Sequence, residues 1–226
     1  ITNTMESSSL TNIYNAMIAL DNSFYKIMKD ELDEKTTNEL QKIEDMWTSE
    51  DGEFEEEQAV VAYENLKRAA HLSGDIDSFE RSLLKNNMIN TFSFMAKQAE
   101  NRSYYVPMEI AGEETVVHMT FKQGSVKEKG KISIFAETVS GKLSVLIRRR
   151  TETYEVCAAV DNPTLKEKLE TYIDGKVVIS DKVLDGMWTE SYSQIAYEEA
   201  SKNSETTYSE LVREAKSFIH RVLKNI

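Results

Sequence analysis

The chain has 226 residues, 40% of them hydrophobic, enough apolar material for a sizeable core and a length between one and two domains. Its 39 acidic against 27 basic residues give a formal charge of −12, a balance that repels nucleic acid and anionic membrane surfaces. No apolar run exceeds five residues, so nothing reads as a bilayer span, and the lone Cys157 rules out an internal disulfide.

The opening "ITNTMESSS" has neither a starting methionine nor a charged-then-apolar leader, which reads as a fragment of something longer. Residues 8 to 101 read as helix. Leu10, Ile13, Met17, Leu20, Phe24, Ile27 and Met28 recur at three- and four-residue intervals and predict a long amphipathic helix. Leu40, Ile43, Met46 and Trp47 predict a second one. "SEDGEFEEE" breaks the period at Gly52 and loads acids onto the next first turn, where the helix dipole favours them. Ala59, Ala62, Tyr63, Leu66 and Ala70 predict a third helix. Beyond "SGD" at 73 to 75, Phe79, Leu83, Met88, Phe92, Met95 and Ala99 predict a fourth. Residues 21 to 60 hold 14 acids against 4 lysines, so this helical block carries most of the negative excess. That is a solvated helix face or an acidic docking surface.

From Ser103 the period changes to two. "SYYVPMEI" and "ETVVHMTF" flank Ala111-Gly112, and Pro107 marks the first as an edge strand, since proline donates nothing to a ladder. After the polar loop "KQGSVKEKG", residues 131 to 160 predict a three-stranded antiparallel meander. A two-residue turn at Ser140-Gly141, with glycine supplying positive φ, sets Ile134 opposite Ile147, Ala136 opposite Val145 and Thr138 opposite Leu143. A second turn at Thr151-Glu152 sets Val156, Ala158 and Val160 opposite Ile147, Val145 and Leu143. One face is then apolar throughout, and the other carries Phe135, Leu146 and Cys157 side by side and Arg148 opposite Glu155. In "DNPTLKEKLETYIDG", Asp161 or Asn162 caps a helix, Pro163 takes its first position, and Leu165, Leu169, Tyr172 and Ile173 form its apolar stripe up to Gly175. "KVVISDKV" reads as a further strand. Two helices close the chain, the last with Tyr208, Leu211, Val212, Ala215, Ile219, Val222 and Ile226 on one face. The fold class is α+β. It comprises a helical block over 1–101, an antiparallel meander with a crossing helix and a further strand over 102–185, and C-terminal helices over 186–226 that pack on one of the two.

Catalytic signatures are scarce. "GSVKEKGKI" is similar to a phosphate loop, but Gly124 and Gly130 stand one residue too far apart and Ile132 occupies the magnesium-binding position. His71, His118 and His220 fall in three separate elements and read as surface or core histidines rather than ligands. Cys157 beside Phe135 and Leu146 reads as a small hydrophobe under a covering helix. The expectation is therefore no catalytic site, no metal and no cofactor. One cluster runs against the chain's acidity: Arg148, Arg149 and Arg150 with Lys131 and Lys142. It is either a charged strand end that discourages edge pairing or a contact for an acidic partner. Alternation sends Arg148 and Arg150 to one face and Arg149 to the other, so the candidate protein-binding residues are Lys131, Arg148 and Arg150.

The order "YYVPMEIAGEETVVHMTF", polar loop, "GKISIFAETVSGKLSVLIRRRTETYEVCAAVDNPTLKEKLETYI", then "KVVISDKV" resembles the C-terminal domain of flagellar hook-length control proteins of the clostridial type. The match covers about residues 103 to 183 and lies in Gly141, Leu143, Val145, Ile147, Val156, Leu165 and Leu169. The chain departs from that family in its helical block, which stands where a long Pro/Gln-rich region usually precedes the domain. The resemblance implies a non-enzymatic protein of flagellar type III export, cytoplasmic or itself exported. It would bind the cytoplasmic domain of the export-gate switch protein and change the class of subunit exported. The competing expectation is a general protein-interaction module with another partner; a third is an enzyme with an unrecognised site.

Overall fold

The computed structural model describes residues 31–49, 53–72, 78–124, 130–149, 153–179 and 207–226. The expected helix over Leu10 to Met28, the turn at Thr151-Glu152 and the first of the two closing helices lie outside the described residues. Among the described residues three helices come first: α1 (Glu34–Thr48), α2 (Glu56–Leu72) and α3 (Phe79–Glu100). Asp33 starts α1 by accepting from the Thr36 N–H at 2.7 Å, which satisfies one of the orphan donors of the first turn. Leu40, Ile43 and Trp47 of α1 and Ala59, Ala62, Tyr63, Leu66 and Ala70 of α2 are buried, as their period predicts.

The stripe of α3 begins later than its period suggests. Phe79 is 80% exposed and Leu83 48%, and the buried set starts at Met88. The first turns of α3 run past the core, as does the end of α2 just before them, where Leu72 is 69% exposed. Tyr172, placed on the apolar stripe of the later helix, is likewise exposed.

Among the described residues six strands form one sheet in the order β1 (Ser103–Ile110), β2 (Glu113–Lys122), β3 (Lys131–Thr138), β4 (Gly141–Arg149), β5 (Tyr154–Val160) and β6 (Lys176–Ile179). Neighbours are antiparallel except β5 and β6, which run parallel across helix α4 (Pro163–Tyr172). The expected meander is thus part of a longer one that takes in the opening strand pair. Ala111 and Gly112 turn between β1 and β2 with φ of 53° and 79°, the left-handed pair that a tight hairpin requires. In α4, Asn162 accepts from the Leu165 N–H at 2.9 Å and Pro163 holds the first position.

The turn between β3 and β4 sits one residue earlier than predicted. Thr138 pairs with Gly141, so Val139 and Ser140 form the turn, and Ile134 lies opposite Val145, Ala136 opposite Leu143 and Ile132 opposite Ile147. Phe135 pairs with Ser144 rather than with Leu146. Gly141 does have a positive φ, 133°, but it opens β4 instead of occupying the turn. A Cβ there would stand 2.0 Å from Asn162 Nδ2, and that amide donates to the Ser140 carbonyl at 2.7 Å. The glycine makes room for the cap of α4. Because the slip moves each partner by two residues, every side chain keeps its predicted face. The β4–β5 register is as predicted, with Leu143 opposite Val160 and Arg148 opposite Glu155.

One face of the sheet packs on α1 and on the last helix, α5 (Tyr208–Arg221). Trp47 stacks on Phe121 at 5.8 Å between centroids, Tyr104 meets Trp47 at 5.0 Å, and Phe121 meets Tyr208 edge-on at 5.6 Å. Tyr104 and Tyr208 share a hydroxyl hydrogen bond of 2.5 Å. A capping box, Thr207 with Glu210, opens α5, and a short turn at Leu223–Asn225 follows it. The buried apolar residues of helices and sheet form one continuous cluster. At the β1 edge, Tyr63 of α2 donates to the Tyr105 carbonyl at 2.8 Å, and Phe94 of α3 packs edge-on against Tyr105.

Candidate protein-binding surface at the end of the sheet

Strand pairing decides which charged residues meet. Lys122 pairs with Lys131, Lys131 with Arg148, and Arg148 with Glu155. These four positions form a straight row across β2, β3, β4 and β5, all on the face opposite the aromatic cluster. The Arg149 N–H donates to the Gly130 carbonyl at 2.9 Å, which carries the β3–β4 ladder one step past the row and holds it in line. Arg148 is exposed, while Lys122, Lys131 and Glu155 are half-buried.

Of the residues expected at this surface, Lys131 and Arg148 are brought together, and Arg150 lies outside the described residues. Arg149 faces the other way, as alternation requires. It pairs with Glu210 at 3.2 Å, and its guanidinium lies over the Tyr154 ring at 5.6 Å. The Tyr154 hydroxyl, with Glu210 adding, holds Arg149 even more firmly protonated than usual. The Thr207 backbone N–H above all, with the Thr207 hydroxyl and Arg149, holds Glu210 below the ordinary carboxylate range. Arg149 therefore anchors α5 to the sheet. Lys142, grouped with the arginines on charge alone, is the second residue of the same strand, at its far end, and pairs with Glu137 at 3.6 Å. Six residues of strand put it about 20 Å from Arg148.

Sequence reasoning missed Lys122. The alternation of β2 places it on the same face as Thr120 and His118, but only the pairing of β2 with β3 brings it beside Lys131.

The remaining candidates resolve as structural groups. His118 is 2% exposed, stacks on Tyr105 at 4.5 Å and shares a 2.7 Å hydrogen bond with Ser103. That is nucleophile–base distance, yet burial pushes His118 down to about 3, too weak a proton acceptor to activate a hydroxyl at neutral pH. His220 Nε2 donates to the Thr48 carbonyl, tying α5 to the end of α1. His71 stands in the last turn of α2. Cys157 is half-buried, paired with Leu146 as predicted. No group of three metal-ligating side chains occurs among the described residues, and no helix among them is long and apolar enough to cross a membrane.

No protein-family model matches the chain, and neither the curated proteins nor the solved structures give a match.

Proposed function

We propose that this chain is a non-enzymatic protein-interaction module of flagellar type III export, which binds the cytoplasmic domain of the export-gate switch protein through the row Lys122, Lys131 and Arg148. The observation that carries the docking is the row itself. Like charges directly opposite each other on neighbouring strands destabilise a sheet, and three cations in register carry that cost twice over. In a chain of net −12, a row of cations gathered on one sheet face is complementary to an acidic segment of a partner. Such a patch steers its partner, acting on association rate more than on final affinity.

The export assignment rests on the resemblance of residues 103 to 183. An opening strand pair, a meander, a leucine-bearing helix and a last strand follow one another in the order the family pattern implies. The action would be conformational: the partner exists in two states, and binding favours one. A module serving another partner would use the same row; a neighbouring run of hook and basal-body genes, if found, would favour the export reading over it, and its absence the other.

The test is association kinetics with the export-gate cytoplasmic domain at two ionic strengths. A joint Lys131→Glu, Arg148→Glu change slows association and flattens its salt dependence, the exposed Arg148 charge being worth about 0.2–1 kcal/mol. An unchanged on-rate at low salt returns these residues to the role of a strand end that resists edge pairing.

A further inference from the structure

We infer that this chain pairs with a second copy of itself through the outer face of α3, as a short parallel two-helix coil running from Phe79 to Asn90. The inference stands apart from the docking reading above and begins with α3 having two faces. At about 100° per residue, Met88, Phe92, Met95 and Ala99 fall within about 60° of one another and are buried in the core. Phe79, Leu83, Asn86 and Asn90 fall within about 60° of one another on the opposite side, and all four are exposed. Phe79 and Leu83 therefore open a stripe of their own. Leu72, exposed where α2 ends just before them, adds apolar surface at that end of the helix pair.

The spacing of this outer stripe selects the occupant. Its members are separated by four, three and four residues, the repeat by which one helix winds along another. Parallel copies related by a two-fold axis set Phe79 on Phe79, Leu83 on Leu83 and each asparagine on its own counterpart. An amide both donates and accepts, so it pairs with itself, and an asparagine inside such a seam favours two parallel strands. An antiparallel copy overlapping the whole stripe would lay Phe79 on Asn90 and Leu83 on Asn86, which buries amides without partners. Charge agrees with a second copy. Counting carboxylates against lysine and arginine, α2 holds three acids and two bases and α3 two acids and three bases. The helix pair is thus neutral in a chain of net −12, and two copies repel least where these helices meet. Lys97, exposed at the next turns of the same stripe, would face its own counterpart and so ends the contact. Three turns bury less than the roughly 1,200 Å² at which stable interfaces begin, so the pair is of the weak, transient class.

The test is sedimentation equilibrium of the full chain from about 1 µM to about 1 mM, at low and at physiological salt. A monomer–dimer equilibrium is expected, with the dimer favoured as salt screens the net charge, the opposite of the salt dependence expected for an acidic partner on the sheet. Phe79→Glu sets two carboxylates on the axis and is expected to weaken the dimer at least about tenfold. Because Phe79 is exposed in the single chain, that variant keeps its fold, which circular dichroism checks. Direction is read by cysteine: in a Cys157→Ser background, Phe79→Cys and Asn90→Cys are made one at a time and oxidised in a glutathione buffer. Both cross-link in parallel copies; an antiparallel axis passes through only one of two positions about 16.5 Å apart along the helix. A chain that stays monomeric throughout overturns the inference and leaves the stripe to a helix of another protein. Dimers that Phe79→Glu does not weaken place the contact elsewhere and overturn it as well. Cross-linking at one position alone overturns the parallel arrangement.

Discussion

At the scale of the residue, His118 is the group whose chemistry the fold changes most. It sits in the middle row of the second sheet face between Tyr105 and Phe135, with Ser103 and Thr120 as its hydroxyl neighbours at 2.7 and 3.5 Å. Burial lowers its pKa to about 3, against about 6.5 in an unfolded chain. The unfolded state therefore takes up the proton first. The stability that the neutral ring confers is complete above pH about 6.5, and it falls by about 1.4 kcal/mol per pH unit as the pH drops towards 3. Urea unfolding of the native chain and of His118→Gln between pH 7 and 5 isolates this group, because every other titrating residue is common to both. The native chain is expected to lose stability over that window faster than the variant. Parallel curves would show that the ring accepts a proton in place.

At the scale of the element, burial and not amphipathic period decides what a side chain is worth. Phe79 and Phe92 lie in the same helix, one 80% exposed and the other 1%. Phe92→Ala is expected to cost about 3–5 kcal/mol and Phe79→Ala within about 0.5 kcal/mol of nothing, by denaturant unfolding. A comparable loss from both would mean that Phe79 packs in solution. The same contrast explains what the sequence could reveal. Strand alternation has a period of two, so the faces of β3, β4 and β5 survive a turn placed one residue late, and Arg148 meets Glu155 as read. The turn itself was hidden because positive φ at Gly141 has two causes, a turn or a neighbour needing the space of a Cβ, and Asn162 becomes that neighbour only in the fold. Period misleads at Phe79, because the five-residue step from Leu83 to Met88 turns the stripe to the opposite side of α3. Lys131 and Arg148 were legible from a tight hairpin. Lys122 was not, because the long loop before β3 leaves the β2–β3 register unfixed.

At the scale of the whole molecule, the boundaries suggested by composition cut through a single core. Trp47 and Phe54 come from the helical block, Tyr104 and Phe121 from the sheet and Tyr208 from the last helix, and all five meet in one aromatic cluster. Residues 102 to 185 expressed alone are therefore expected to lack a cooperative transition, whereas the full chain unfolds in one step with tryptophan fluorescence and far-ultraviolet dichroism coinciding. A sharp transition of native-like stability in the fragment would overturn this. The hydrogen bond between Tyr104 and Tyr208 joins residues 104 positions apart. A ribosome adding about 5–20 residues per second leaves roughly 5–20 s between the emergence of the two rings. Throughout that interval the nascent sheet has α1 against its aromatic face but not α5, so the side of Tyr104 and Phe121 that Tyr208 covers stays open until α5 arrives.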